Sequence, residues 1–289
     1  MTGKAEAISH GAATIVNAIA LGKGAAFGVD LWTRAEVRLT EEPHIITGEI
    51  TEDPGESTTL IERTIMRVLN HFGLENLFGA KVKTRSNIPI ARGLKSSSSA
   101  ANAVALATVA ALGKTLDDLA IVNLGVDAAF EAKVTVTGAF DDACASYFGG
   151  ALVTDNLKRK IVKSSTIRDD LAVLFHVPSR KVYTGNSDVG RLQTVKPLVK
   201  IAYNEAKNGN FWEALTLNGL IYSATLGYDS SVALDALAAG ALAAGLSGKG
   251  PAVTVVVTEE KIDSVKAALQ RHEGEVLNTR LNREKAKVL

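Results

Sequence analysis

The sequence predicts an α+β fold in two parts, which we place at residues 1–156 and 157–289. Residues 80–86 alternate apolar and polar side chains as a half-buried strand does, whereas residues 100–112 are nearly all Ala, Val and Leu, as in a buried helix. In the second part, strand patterns at 171–177, 252–258 and 275–281 alternate with helical patterns at 195–208, 211–226, 232–244 and 262–271. That alternation favours a split β-α-β arrangement.

Composition argues against several classes of function. The chain has 289 residues and a formal net charge of +1, so its charge gives no reason to expect nucleic acid or an anionic membrane as a partner. Its single cysteine, Cys144, cannot form an internal disulfide, which is typical of a reducing compartment. The first residues lack the basic and apolar regions of a secretory signal. We therefore expect a cytoplasmic protein.

The N-terminal segment is rich in glycine. Gly22, Gly24 and Gly28 lie among small residues, which predicts tight backbone turns near a ligand or a helix end. Asp30 follows this segment, and it is either a turn residue or a residue that faces a substrate hydroxyl.

The next elements follow from periodicity alone. Residues 35–39 and 45–50 alternate as the two strands of a hairpin do, and residues 57–72 carry apolar side chains at helical spacing.

Residues 89–103, PIARGLKSSSSAANA, form the most informative stretch. They join the strand at 80–86 to the apolar helix, and Gly93 is followed by Lys95 and four serines. The first backbone N–H groups of a helix have no partner within it, and the macrodipole makes this end positive. Serine hydroxyls and a lysine would add further donors, so the loop predicts a phosphate site. The alternative is a serine N-cap on a core helix.

Two adjacent aspartates follow a second helical pattern at 115–132. Asp141 and Asp142 have apolar neighbours, and carboxylates are costly to bury without a task. Because adjacent residues cannot share a face, we expect them to differ in role. An N-cap at a helix start is the alternative for Asp142. Cys144 is interpreted as a small core residue.

A third glycine-rich element, GLSGKGP at 245–251, precedes the strand pattern at 252–258. It either ends a helix or brings backbone close to a phosphate. The three elements, in this order and spacing, resemble the motifs of the GHMP kinase superfamily, which includes galactokinases, homoserine kinases and mevalonate kinases. Within it, GAATIVN at 11–17, GLKSSSS at 93–99 and TGAFDDA at 137–143 are most similar to the archaeal type of shikimate kinase.

The resemblance implies a fold, a reaction and a set of site residues. It implies an N-terminal domain like ribosomal protein S5 domain 2, a ferredoxin-like C-terminal domain, and ATP with Mg²⁺ bound at their junction. The implied reaction is phosphorylation of shikimate. By position in the motifs, Asp141 matches a catalytic base, and Ser97 and Glu131 match the magnesium ligands. Residues expected to bind ATP are Pro89, Ile90, Ala91, Arg92, Gly93, Leu94, Lys95, Ser96, Ser97, Ser98 and Ser99. Residues expected to face the substrate are Asn17, Asp30, Asp142, Gly248, Lys249 and Gly250.

The sequence leaves several alternatives open. Another small-molecule kinase of this superfamily, acting on homoserine or pantoate, is one, and a non-catalytic S5-like binding module is another. Either Lys4 or Lys23 would pair with Asp141. The oligomeric state is also open, with a homodimer as one option. Candidates for the cation that binds the shikimate carboxylate are Arg34, Arg92, Lys133 and Arg191.

Overall fold

The computed structural model describes residues 3–168, 170–179 and 189–289, with the side chain of residue 189 left out. Within these residues the chain forms a seven-stranded sheet and a four-stranded sheet, each with its own helices. The first sheet contains β1 (Lys4–Val16), β2 (Lys23–Thr40), β3 (Ile46–Ile50), β4 (Gly79–Ser86), β5 (Ala151–Asp155), β6 (Lys160–Ser165) and, from the end of the chain, β11 (Lys287–Val288). Its helices are α1 (Thr59–Phe72), α2 (Ser96–Ala111), α3 (Asp118–Glu131) and α4 (Phe140–Phe148).

The second sheet has the strand order β10 (Glu275–Arg280), β7 (Leu171–Val177), β9 (Val253–Thr258), β8 (Ala243–Leu246). All of its pairings are antiparallel. The helices of this part are α5 (Val189–Thr194), α6 (Lys196–Asn208), α7 (Phe211–Leu226), α8 (Ser231–Ala238) and α9 (Ile262–Leu269). None of the helices in the described residues is long and apolar enough to cross a membrane.

The predicted hairpin of 35–39 with 45–50 is wrong. The main sheet has the order β11-β1-β2-β4-β3, so β2 pairs with β4, and β3 pairs with the other edge of β4 in parallel. Parallel strands need a crossover connection, and α1 supplies it between β3 and β4. Alternation of side chains shows that a strand is half-buried but does not identify its partner.

The glycine-rich N-terminal segment is mostly strand rather than a series of turns. β1 and β2 are long antiparallel partners, joined by a turn in which Gly22 has a φ of +65°. Gly24 and Gly28 lie within β2, where an added Cβ would meet other parts of the chain. At Gly28 it would lie 3.0 Å from the carbonyl oxygens of Ala145 and Asn282. These glycines therefore allow close packing of other segments on the sheet.

Two further boundaries differ from the expectations. The helix predicted over 232–244 ends at Ala238, because the chain turns at Gly240 with a φ of +106° and enters β8. Strand β6 pairs with β5 in the first sheet, although its residues follow the division we expected after residue 156. We propose that the two parts divide after β6 instead.

Candidate active site

A cleft of about 480 Å³ lies where the loops of the two parts meet. Its walls include the 17–19 turn between β1 and β2, the loop before α2, the 132–139 loop before α4, and the 248–250 glycine turn. The N-terminal residues of α4 also line it. The serine loop and the glycine turn therefore line one cavity, together with the turn that precedes the N-terminal glycines.

The serine loop enters α2 through left-handed backbone. Ala91, Gly93 and Lys95 have positive φ angles of 56°, 88° and 65°, and Lys95 is the N-cap of α2. No side-chain hydrogen bond caps this helix. Its first backbone N–H groups are therefore available to an anionic ligand, as the sequence predicted.

Some residues of the predicted ATP loop line the cleft, and the others face away from it and hold the loop in place. The lining residues are Ile90, Ala91, Gly93, Lys95, Ser96, Ser97 and Ser98. The supporting residues are Pro89, Arg92, Leu94 and Ser99, which the cleft lining does not include. Leu94 is buried in the core, and the Arg92 guanidinium donates to the carbonyl of Pro178. The Ser99 hydroxyl donates to the carbonyl of Ser9 at 3.1 Å, so its predicted contact with ATP does not fit this structure.

The serine loop is bonded to the glycine turn of the second part. The Ser247 hydroxyl donates to the carbonyl of Gly93 at 2.8 Å, and the N–H of Ala252 donates to the carbonyl of Arg92 at 3.2 Å. An added Cβ at Gly93 would lie 2.7 Å from the Ser247 carbonyl oxygen, so only glycine fits this crossing. The two loops are thereby held together.

The two aspartates occupy the first turn of α4. Gly138 and Ala139 take positive φ angles of 77° and 49°, which turns the chain sharply into the helix. Asp141 is 3% exposed and Asp142 is 8% exposed, and both line the cleft. The positive end of the helix dipole favours negative charge at this turn. Asp142 is not the N-cap, because Ala139 is.

Asp141 lies in a pocket that suits a carboxylate with an unusual proton affinity. Asn156 Nδ2 donates to Asp141 Oδ1 at 2.8 Å, and Gly24 lies against the other oxygen, where an added Cβ would come within 2.3 Å. Burial and then the neighbouring charge of Asp142 raise the pKa of Asp141 to about 7. Such a group exchanges protons near neutral pH.

Asp142 has a different partner, as the sequence led us to expect. Lys95 Nζ lies 3.0 Å from Asp142 Oδ2, and both side chains are nearly buried. Asp142 Oδ1 has no hydrogen-bond partner among the described residues. Lys249, in the glycine turn, lines the same cleft, and burial followed by the charge of Lys95 lowers its pKa to about 8. Two lysines therefore line the same cleft as the paired aspartates.

The turn at the N-terminal rim is held by the second part of the chain. Asn218 Oδ1 accepts a hydrogen bond from the backbone N–H of Asn17 at 3.1 Å, and the Tyr222 hydroxyl donates to the Asn17 carbonyl at 3.3 Å. Asn17 itself lines the cleft, together with Gly248, Lys249 and Gly250 of the predicted substrate residues. Helix α7 therefore fixes the rim of the cleft.

Two predicted site residues lie elsewhere. Glu131 forms an ion pair with Arg67 of α1 and is not among the cleft residues, whereas Ala129 and Ala132 of the same region are. Because a helix turns by about 100° per residue, 129 and 131 face nearly opposite directions. Asp30 is exposed in β2 and lies in a separate polar pocket of about 450 Å³. The magnesium role of Glu131 and the substrate role of Asp30 do not fit these positions.

The lysine beside the aspartates is neither of the two that we expected. Lys4 pairs with Glu36, and Lys23 lies 3.7 Å from Asp155, whereas Lys95 is next to Asp142. Among the four candidates for the carboxylate-binding cation, Lys133 lines the cleft. Arg34, Arg92 and Arg191 are not among the lining residues, and Arg34 lies over the ring of Trp32.

Comparison with known proteins identifies the class that this fold and cleft define. The model of the GHMP kinases N terminal domain matches residues 59–150, and the model of the GHMP kinases C terminal domain matches residues 207–275. The chain therefore belongs to the GHMP kinase family, and the predicted two-domain fold is confirmed.

Individual relatives show which members of the family this chain is similar to. The chain is 46% identical to the shikimate kinase of Methanosarcina mazei over 98% of this chain and 96% of that protein. It is 45% identical to the shikimate kinase of Methanococcoides burtonii over 98% of each. Among solved structures, Lactococcus lactis galactokinase complexed with galactose superposes with a TM-score of 0.76 at 16% identity, covering 99% of this chain and 95% of that one. At that identity the superposition shows the fold alone.

The first prediction concerns the Lys95–Asp142 ion pair. Replacing Lys95 by Met should lower the free energy of unfolding by about 3 kcal/mol, because it leaves a nearly buried carboxylate unpaired. Adding Asp142→Asn should recover part of that loss. Urea unfolding of the single and double variants measures both effects.

The control is Lys4→Met, which breaks the exposed pair with Glu36 and should cost less than about 1 kcal/mol. If Lys95→Met costs no more than Lys4→Met, the inner pair does not support this end of the cleft.

Proposed function

We propose that the chain transfers the γ-phosphoryl group of ATP to a ring hydroxyl of shikimate, giving shikimate 3-phosphate and ADP. The observation that carries this proposal is its 46% identity with a shikimate kinase over nearly the whole of both chains. The cleft is lined by groups that such a transfer needs, namely donors for phosphate oxygens and carboxylates.

The ATP phosphates are proposed to lie against the serine loop. This end of the cleft has the features of an anion site. The first turn of α2 has backbone N–H groups without a side-chain cap, and Ser96 and Ser98 line the cleft. Lys95 and Lys249 add positive charge. Part of the charge of Lys95 is engaged by Asp142.

Shikimate is proposed to lie between Asn17, the aspartates and the glycine turn 248–250. The unpartnered Oδ1 of Asp142 can accept a hydrogen bond from a substrate hydroxyl. Lys133 is the candidate we favour for the substrate carboxylate, since it lines the cleft. We also propose that the protein works in the cytoplasm as the sequence predicted, with small molecules as its partners.

Mg²⁺ is the ion that kinases of this family typically require. Such an ion is held by one or two protein ligands together with substrate phosphates. The fit here is to Ser97, which lines the cleft, and not to Glu131. Within the described ranges there is no cluster of three or more His, Cys, Asp or Glu residues that could hold a metal alone, as expected for an ion shared with phosphates. When bound, Mg²⁺ would neutralise charge on the phosphate oxygens.

Asp141 is proposed as the base. The shikimate hydroxyl oxygen forms the new P–O bond while the bond from the γ-phosphorus to the β–γ bridging oxygen breaks, and the hydroxyl proton passes to Asp141. The raised pKa of this carboxyl makes it a stronger acceptor than an exposed aspartate. Because ADP leaves as an anion, no proton is needed on the leaving group.

A substrate panel tests the assignment. Shikimate should be phosphorylated far faster than homoserine, mevalonate or pantoate, measured as ADP release with each acceptor at equal concentration. If one of the other three is turned over faster, the substrate is wrong and only a kinase role remains.

Replacing Asp141 by Asn should reduce kcat by about 10²–10⁴-fold while leaving the KM values for ATP and shikimate within a few-fold. In the parent, kcat should fall as the pH drops below about 7, because the protonated carboxyl cannot accept the proton. That acidic limb should be absent from the residual activity of the variant. Retention of kcat within a few-fold would remove the base role and leave positioning and charge as the means of catalysis.

Magnesium dependence separates the two predicted metal ligands. Ser97→Ala should raise the Mg²⁺ concentration needed for half-maximal activity by about tenfold, as expected when one ligand of a metal is lost. Glu131→Gln should leave it unchanged, because Glu131 pairs with Arg67 away from the cleft. A Mg²⁺ titration at fixed ATP compares the variants, and the opposite ranking would return Glu131 to the site.

A further inference from the structure

A chain of hydrogen bonds runs from the end of β5 to Asp141. Thr154 Oγ1 donates to Asn156 Oδ1 at 2.7 Å, and Asn156 Nδ2 donates to Asp141 Oδ1 at 2.8 Å. Thr154 is fully buried and Asn156 is 6% exposed. The chain is therefore shielded from water, where hydrogen bonds between protein groups are strongest.

The hydroxyl of Thr154 fixes the direction in which the Asn156 amide points. With its oxygen accepting from Thr154, the amide presents its NH₂ group to Asp141, whereas a flipped amide would turn its oxygen toward the carboxylate and lose that hydrogen bond. The backbone on either side is also held. The N–H of Asn156 donates to the carbonyl of Gly22 at 3.0 Å, and the hydroxyl of Tyr203 donates to the Thr154 carbonyl at 3.2 Å.

We propose that Asn156, oriented by Thr154, is a positioning residue that fixes the Asp141 carboxylate for proton acceptance. One carboxylate oxygen is held by the amide, and the other lies beside Gly24, where a side chain would not fit. The carboxylate thus has a single orientation. This inference rests on the proposed phosphoryl transfer, and it assigns to β5 a role outside the three glycine-rich motifs.

Asn156 also acts on the charge of its partner. Burial and Asp142 raise the pKa of Asp141, whereas the Asn156 hydrogen bond and the charge of Lys95 lower it. Two further titratable groups, Cys144 and Tyr222, feel the charge of Asp141. Burial first and then that charge raise their pKa values, so both are neutral at pH 7. Removing the amide should therefore move the pKa of Asp141 upwards.

Steady-state kinetics provide the first test. Asn156→Ala should lower kcat by up to about 10²-fold, the cost of a misplaced group, with KM values for ATP and shikimate within about threefold. The acidic limb of its pH profile should move to higher pH. Thr154→Val, which keeps the shape but removes the hydroxyl, should act in the same direction with a smaller effect, and it serves if Asn156→Ala does not fold.

The matched control is Asn282→Ala. Asn282 is another buried asparagine, 5% exposed, but it bonds to the backbone of Glu284 rather than to the cleft. It should lower stability without moving the acidic limb. If Asn156→Ala and Thr154→Val leave the limb where it is in the parent, or if Asn282→Ala shifts it as far, Asn156 is merely structural and the inference fails.

A second test needs no substrate. Since the folded-state pKa of Asp141 is raised from 3.8 to about 7, its contribution to stability is present below pH 3.8 and is lost as the pH rises to about 7. The difference in unfolding free energy between the parent and Asp141→Asn should therefore change between these limits and then level off. In the Asn156→Ala background it should level off at a higher pH.

The two measurements separate the two proposals. The difference in unfolding free energy could level off at a higher pH in the Asn156→Ala background although the parent does not phosphorylate shikimate. That result would support the Asn156–Asp141 coupling and refute shikimate as the substrate. If the difference levels off at the same pH in both backgrounds, the positioning role of Asn156 is overturned, whatever the substrate.

Discussion

The structure depends on accommodating two adjacent carboxyl groups in one buried turn. Charges side by side in a medium of low polarity repel, and water cannot screen them. Three groups reduce this repulsion. The positive end of the α4 dipole lies at both aspartates, Lys95 forms an ion pair with Asp142, and Asn156 donates a hydrogen bond to Asp141. These groups come from distant parts of the sequence, so the cleft forms only when the whole first domain has folded around it.

The second domain completes the cleft through short polar contacts rather than through bulk. Ser247 and Ala252 bond to the serine loop, and Asn218 and Tyr222 bond to the turn at Asn17. Each contact fixes backbone at the rim of the cleft. A shift of α7 would therefore displace the rim at Asn17, and a shift of the glycine turn would displace the serine loop. Neither element supplies an acidic group to the cleft.

The sequence was sufficient for the elements whose signal is local. The strand–serine loop–helix unit was predicted at its observed place, because glycine, serine and apolar periodicity are properties of adjacent residues. The sequence was insufficient where the direction of a side chain determines whether a residue faces the cleft. The family resemblance placed Glu131 in the site, yet the residue pairs with Arg67 of α1 and is not among the cleft residues. Lys95 was predicted as a loop residue but not as the partner of Asp142. The pairing of β3 with β4 likewise depends on a contact distant in sequence.

The close contact between Gly24 and the Asp141 carboxylate has a consequence for sequence variation. A β-carbon at position 24 and a carboxylate at position 141 would occupy the same space, 2.3 Å apart. Neither residue can therefore vary without regard to the other. In a family of aligned sequences the two columns should covary, with glycine retained wherever the aspartate is present and larger residues tolerated only where position 141 carries a shorter side chain. Such a pattern would mark the carboxylate pocket from sequence alone, in chains that lack a structure.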